Sequence, residues 1–179
     1  MLDCDYQYDF IKGGSKVNYG NLRKSITCFS NGLLGYIDEI ERESKISLFL
    51  SLALRYLDSP YIWSGNDPLT GSDCSGFICY LLHSHGIISP NCDLSAKDLY
   101  EKFPSIQNAS AGCLCFYGIP IITHVTLALN EYVCIGACGG DSSVCTPEIA
   151  MQKKARIKVL PIHYRSDLSG FNTPFSNLI

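Results

Sequence analysis

The sequence predicts an α+β fold, with helices in its first hundred residues and an antiparallel sheet after them. Helical periodicity is confined to the segments before Phe103, and short β-prone segments bounded by turn residues follow it. The two kinds do not alternate as βαβ units would require. The chain has 179 residues, of which 46% are hydrophobic and 17% charged, enough for one substantial core and too few for two large domains. The expected organisation is an N-terminal extension, residues 1–43, and a main domain, residues 44–179.

In the extension, Leu34, Ile37 and Ile40 recur at three-residue steps and give a helical candidate over Leu33 to Glu43. Ser44 then reads as the N-cap of a second helix, whose stripe is Ile46, Phe49, Leu50, Ala53, Leu54 and Leu57 and which Pro60 stops. The segment YIWSGNDPLTGSD reads as a loop. A helix is expected from Cys74 to about His85, ended by Gly86, and a short one over Leu94 to Phe103. Strands are expected at Cys113 to Gly118, His124 to Asn130, Glu131 to Gly136 and Ala155 to Ile162.

Composition excludes several function classes. The 14 basic residues are scattered and the net charge is -3, so no nucleic acid or other polyanionic partner is expected. Ile46 to Leu54 is far shorter than the roughly 20 residues that span a bilayer, so no membrane insertion is expected. Met1 to Phe10 carries Asp3, Asp5 and Asp9 without an apolar run, so no secretion signal is expected there. The ten cysteines read as reduced, buried thiols rather than a disulfide framework. Cys113, Cys115, Cys134 and Cys138 lack the CxxC spacing and a neighbouring histidine, so no metal is expected, and no cofactor motif is present.

The sharpest local feature is GSDCSGF, Gly71 to Phe77, which puts Cys74 between a loop and a helix start. Free N–H groups and the positive end of the helix dipole favour thiolate there, so the Cys74 pKa is expected to fall. The same N–H groups could donate to the oxyanion of an acyl-transfer intermediate. The alternative is a structural cysteine that caps a helix. Of the four histidines, His83 and His85 fall in the far half of the Cys74 helix, and His163 sits in a polar strand end. His124 begins an apolar strand after the turn-like GIPIIT, where its side chain can project from a sheet toward a helix mouth. Cys74 and His124 are therefore the candidate nucleophile and base.

The stretch YLDSPYIWSGNDPLTGSDCSGFICYLLHSHGI, Tyr56 to Ile87, resembles the NlpC/P60 signature, in which a PYxWGG-like segment leads to DCSGF. LSAKDLYEKF, AGCLCFYG and THVTLALN follow in family order, so the resemblance covers about residues 46 to 136. It implies a papain-like fold, the nucleophile helix packed on an antiparallel sheet that bears the histidine. It also implies a cysteine endopeptidase or amidase acting on peptidoglycan stem peptides or muropeptides, at the bond between D-γ-glutamyl and a diamino acid. By resemblance, Tyr61 lies in the site, and Asp73 and Ser75 help build the substrate pocket.

The match departs from the family in one important place. The family supplies a third polar residue on the strand after the base, and read without a gap that slot falls at Gly136, which has no side chain. Either a backbone carbonyl or Asp141 could hold the imidazole tautomer instead. Two smaller departures are Ser64 for the first glycine of WGG and Cys113 for the Asp of a GDL turn. With no signal seen, the expected location is cytoplasmic; IGACGG and the tail KVLPIHYRSDLSGF resemble the phage- and prophage-associated branch, which implies phage or other non-classical export as the alternative. The competing readings are a catalytically silent binding relative, favoured by Gly136, and a Cys-dependent acyltransferase.

Overall fold

The structure is a computed structural model that describes residues 19–175. Met1 to Phe10, the stretch that bears on export, lies outside the described residues. The sheet and the candidate site belong to one compact unit, Ile40–Ile179.

The first helix, α1, is Tyr19–Leu54. The two expected helices are thus one, and Ser44 is an interior residue rather than an N-cap. From Ile37 to Leu57 the sequence holds neither Gly nor Pro, and the Glu41–Lys45 pair at 4.0 Å lies one turn apart across Ser44. A serine inside a helix costs only a fraction of a kcal/mol, roughly 0.5, so nothing breaks the run. Phe49 and Ala53 from the predicted stripe are fully buried, whereas Leu54 and Leu57 are exposed.

The expected loop contains a small hairpin, β1 (Asn66–Asp67) and β2 (Gly71–Ser72), and then α2 (Cys74–Ser84) begins. α3 (Ala96–Lys102) opens on a capping box in which Ser95 and Asp98 satisfy each other's backbone N–H groups. The remaining strands are β3 (Ser105–Ile106), β4 (Leu114–Tyr117), β5 (His124–Ala128), β6 (Val133–Cys138), β7 (Arg156–Pro161) and β8 (Leu168–Asn172). A short helix, α4 (Pro147–Lys153), lies between β6 and β7. Together β3 to β8 form one antiparallel sheet in the order β3-β8-β4-β5-β6-β7.

Alternation along the central strands divides the core between the two faces of this sheet. Leu114, Phe116, Val125, Leu127, Ile135 and Ala137 cluster with Phe77, Ile78, Leu81 and Leu82 of α2. Full burial of each large side chain contributes about 1.5–3 kcal/mol, which fixes α2 against β5 and β6. Cys113, Cys115, Tyr117, Cys134 and Ile162 form a second buried cluster. Both faces of the central strands are therefore dry, which accounts for the near-continuous apolar character of these strands.

Candidate active site

Cys74 is the first residue of α2, and its neighbours explain why the chain stops and turns there. Asp73 is the N-cap, with one carboxylate oxygen accepting from the Gly76 N–H (2.8 Å) and the Ser75 hydroxyl (3.0 Å). Its other oxygen accepts from the Ser64 N–H at 3.0 Å, which ties the helix mouth to the preceding loop. Gly76 is required by the same closeness, since a Cβ there would sit 2.1 Å from the Gly65 carbonyl oxygen. The DCSGF motif is thus a cap, a thiol and a glycine that lets loop backbone lie against the first helical turn.

Tyr61 is buried and lies under the next loop. A Cβ on Gly140 would come within 2.1 Å of its ring, so the ring is seated against bare backbone. Tyr61, Asp73, Cys74, Ser75 and His124 all line one cavity of about 560 Å³, together with Trp63, Asp141 and Arg165 among others. The structure therefore brings together every site residue singled out in the sequence except Gly136.

His124 opens β5 and is nearly buried. The backbone N–H groups of Val125, next to His124, and of Ser75 lie close enough to the Cys74 sulfur to favour its thiolate. The start of β5 and the mouth of α2 thus meet at this thiol. His83 instead bonds the Cys92 carbonyl and His85 the Leu81 carbonyl, while His163 is exposed, so none of these enters the cavity.

The electrostatics differ from the expectation at Cys74. Burial, followed by the Asp73 carboxylate, pushes the thiol up to about 12, while the Val125 and Ser75 N–H groups pull the other way. Burial and the nearby Arg165 push His124 down to about 4, with Asp167 opposing. Loss of solvent around the sulfur outweighs the helix terminus. The cavity is therefore lined by a neutral thiol and a neutral imidazole, not a preformed ion pair.

The third position also differs. Leu127 pairs with Ile135 and Ala128 with Cys134, and the same register puts Thr126 opposite Gly136 and His124 opposite Cys138. Two contacts match it: a Cβ on Gly136 would meet the Thr126 methyl at 2.7 Å, and Cys138 Sγ lies 3.5 Å from His124 Nε2. Gly136 makes room for Thr126 and does not face the imidazole. Cys138 is buried and also lies 3.6 Å from the Tyr164 hydroxyl; burial pushes its thiol up to about 11. Asp141, the other candidate, accepts from Ser143 and Lys153 instead. Counting two residues onward from Cys134 and Gly136 on the same strand face would have pointed to Cys138.

Among the described residues, no group of three or more His, Cys, Asp or Glu side chains is arranged to hold a metal ion. The cysteines from Cys74 to Cys145 are unpaired thiols.

Residues 58–159, more than half of the chain, match the model of the NlpC/P60 family. Over 83 residues the chain is 38% identical to the bifunctional muramidase/DL-endopeptidase CwlT of Bacillus subtilis, covering 44% of this chain and 25% of that protein. It is 36% identical over 80 residues to Protein P54 of Enterococcus faecium, covering 44% of this chain and 15% of that one. The match thus spans a quarter or less of either relative. Among solved structures, the peptidoglycan hydrolase RipB from Mycobacterium tuberculosis superposes with a TM-score of 0.57 at 23% identity, covering 75% of this chain and 66% of that one. An NlpC/P60 family protein from Bacillus cereus gives 0.58 at 19% identity, covering 73% and 40%. These likenesses are of fold, and they agree with the helix-on-sheet architecture described above.

Proposed function

The chain belongs to the NlpC/P60 family, and from that premise we propose that it is a cysteine hydrolase cleaving an amide bond in peptidoglycan stem peptides. The bond assigned is the one between D-γ-glutamyl and a diamino acid, in keeping with the DL-endopeptidase name of the B. subtilis relative. The observation that carries this reading is the junction of Cys74 and β5. A thiol at the mouth of α2 and an imidazole at the head of β5 line one cavity of about 560 Å³.

In this reading the reaction starts from the neutral pair. The Cys74 sulfur attacks the amide carbon while His124 takes the thiol proton, and the positive charge then on imidazole balances the oxyanion. N–H groups at the helix mouth donate to that oxyanion. Collapse breaks the C–N bond as His124 returns the proton to the leaving amine. Water, deprotonated by His124, then releases the acyl half from the thioester and restores the thiol. Cys138, facing Nε2, is the positioning residue: with Nε2–H directed to its sulfur, Nδ1 is left free to accept the thiol proton.

Against a silent binding relative, the reading is supported by Cys138, whose sulfur lies 3.5 Å from His124 Nε2 and gives the imidazole a side-chain partner. The test is incubation of the purified protein with defined tripeptide and tetrapeptide stems, with the products weighed by mass spectrometry. Release of the free diamino acid end and an L-alanyl-D-glutamate half is the expected outcome. Intact stems after prolonged incubation would overturn the reading.

A further inference from the structure

The proposed reaction gives no task to Arg165, the charged side chain of the cleft nearest His124. Arg165 lines the cavity with Cys74 and His124 and follows the 3-10 turn Ile162–Tyr164 that comes after β7. Its Nε and Nη2 donate to the two oxygens of Asp167 at 2.8 and 2.5 Å. Its guanidinium carbon lies 5.7 Å from the centre of the Tyr117 ring. These contacts hold the plane of the guanidinium.

Two of its five N–H donors are thereby used, and Asp167 is its only hydrogen-bond partner among the described residues. The side chain remains 36% exposed. Asp167 offsets much of its charge, so what Arg165 offers the cleft is a set of fixed donors rather than a broad positive field. The other basic residue of the wall, Lys97, is more than half exposed and paired with Glu101 at 3.2 Å.

The cleft is polarised across the thiol. Asp73 caps the helix at Cys74, whereas Arg165 stands by His124: its guanidinium carbon is 5.7 Å from the Tyr117 ring, whose centre is 5.6 Å from that of the imidazole. His124 must hand its proton to the leaving amine, so the leaving residue lies on the His124 side. A planar set of guanidinium donors there matches a carboxylate better than an amine or an amide. Resting on the functional reading above, we infer that Arg165 binds a carboxylate on the leaving residue. It would thus select stem peptides whose diamino acid carries a side-chain carboxylate over those ending in a plain amine.

The probes are three tripeptides, L-Ala-γ-D-Glu followed by meso-diaminopimelate, by the same residue with its side-chain carboxylate converted to carboxamide, or by L-lysine. The readout is the ratio of kcat/KM for the carboxylate peptide to that for each of the others. The wild-type ratio to the carboxamide is expected to be about tenfold or more, as loss of a charged hydrogen bond implies. Arg165→Gln should bring it close to one, and Arg165→Lys should leave an intermediate value. Should the glutamine variant not fold, the wild-type ratio and the lysine variant decide. A wild-type ratio near one, or a ratio that Arg165→Gln and Arg165→Lys leave unchanged, overturns this inference alone. Wild-type protein that cleaves none of the three removes the functional reading and the inference with it.

Discussion

Cys138 Sγ lies 3.5 Å from His124 Nε2, across a strand register set by the turn between β5 and β6. In that turn the Asn130 side chain accepts from the Tyr132 and Val133 N–H groups, and the Leu129 N–H reaches the Val133 carbonyl. The hairpin is therefore centred on Glu131, and His124 meets Cys138 rather than a nearer residue.

A positioning role for Cys138 makes a graded prediction. Cys138→Ala should lower kcat by about tenfold to a hundredfold with KM little changed, because the imidazole loses its partner but the cavity keeps its walls. Cys138→Ser, which keeps a group able to accept from Nε2–H, should recover part of the loss. Steady-state kinetics on a stem tripeptide checks both; equal activity in wild type and Cys138→Ala would remove the role.

The neutral thiol predicts slow alkylation. Cys74 in the substrate-free protein should react with iodoacetamide more slowly at pH 7 than the exposed Cys145, and the rate should climb about tenfold per pH unit between roughly 7 and 10. Peptide mapping after timed labelling reads both sites. Fast labelling of Cys74 that is flat with pH above about 6 would instead signal a preformed ion pair.

His124 ties stability to pH. Burial lowers its folded pKa to about 4, below the ordinary imidazole value of about 6.5, so the unfolded chain binds the extra proton first. The stabilisation is complete above roughly pH 6.5 and is lost as pH falls through about 4, a change on the order of 3 kcal/mol. Denaturant midpoints across that window should fall less for His124→Gln than for wild type. The acid limb of kcat/KM should likewise lie near pH 4 rather than near 6.5.

Two glycines carry steric predictions. Gly76→Ala drives a Cβ into the Gly65 carbonyl and should destabilise the fold by about 1–3 kcal/mol, read as a lower Tm. Gly140→Ala should displace the Tyr61 ring and cost activity out of proportion to its effect on Tm.

Much of this was legible in the sequence, for identifiable reasons. The α2 and β5 segments are clear because a capped, glycine-flanked cysteine and a β-prone, largely apolar run after a turn are both local signals. The helix boundary placed at Ser44 was not, since a serine fits a helix interior about as readily as it caps one. The strand at Leu168–Asn172 was hidden by Ser169, Gly170 and Asn172, whose strand character comes from pairing with β4 and β3 rather than from propensity. Cys138 is hidden because the glycine at 136 reads as a strand end, whereas β6 continues for two more residues. The direction of the Cys74 pKa was missed because a helix terminus is visible in sequence and burial is not.

The central claim is a covalent one: the acyl half of the stem peptide passes through Cys74. Acid-quenching a rapid mixture of protein and stem tripeptide, then mapping the protein by mass spectrometry, tests it most directly. The account predicts an added mass equal to the acyl half on the peptide containing Cys74, absent in Cys74→Ala and in His124→Ala. Turnover by Cys74→Ala, or the added mass on another cysteine, would contradict it.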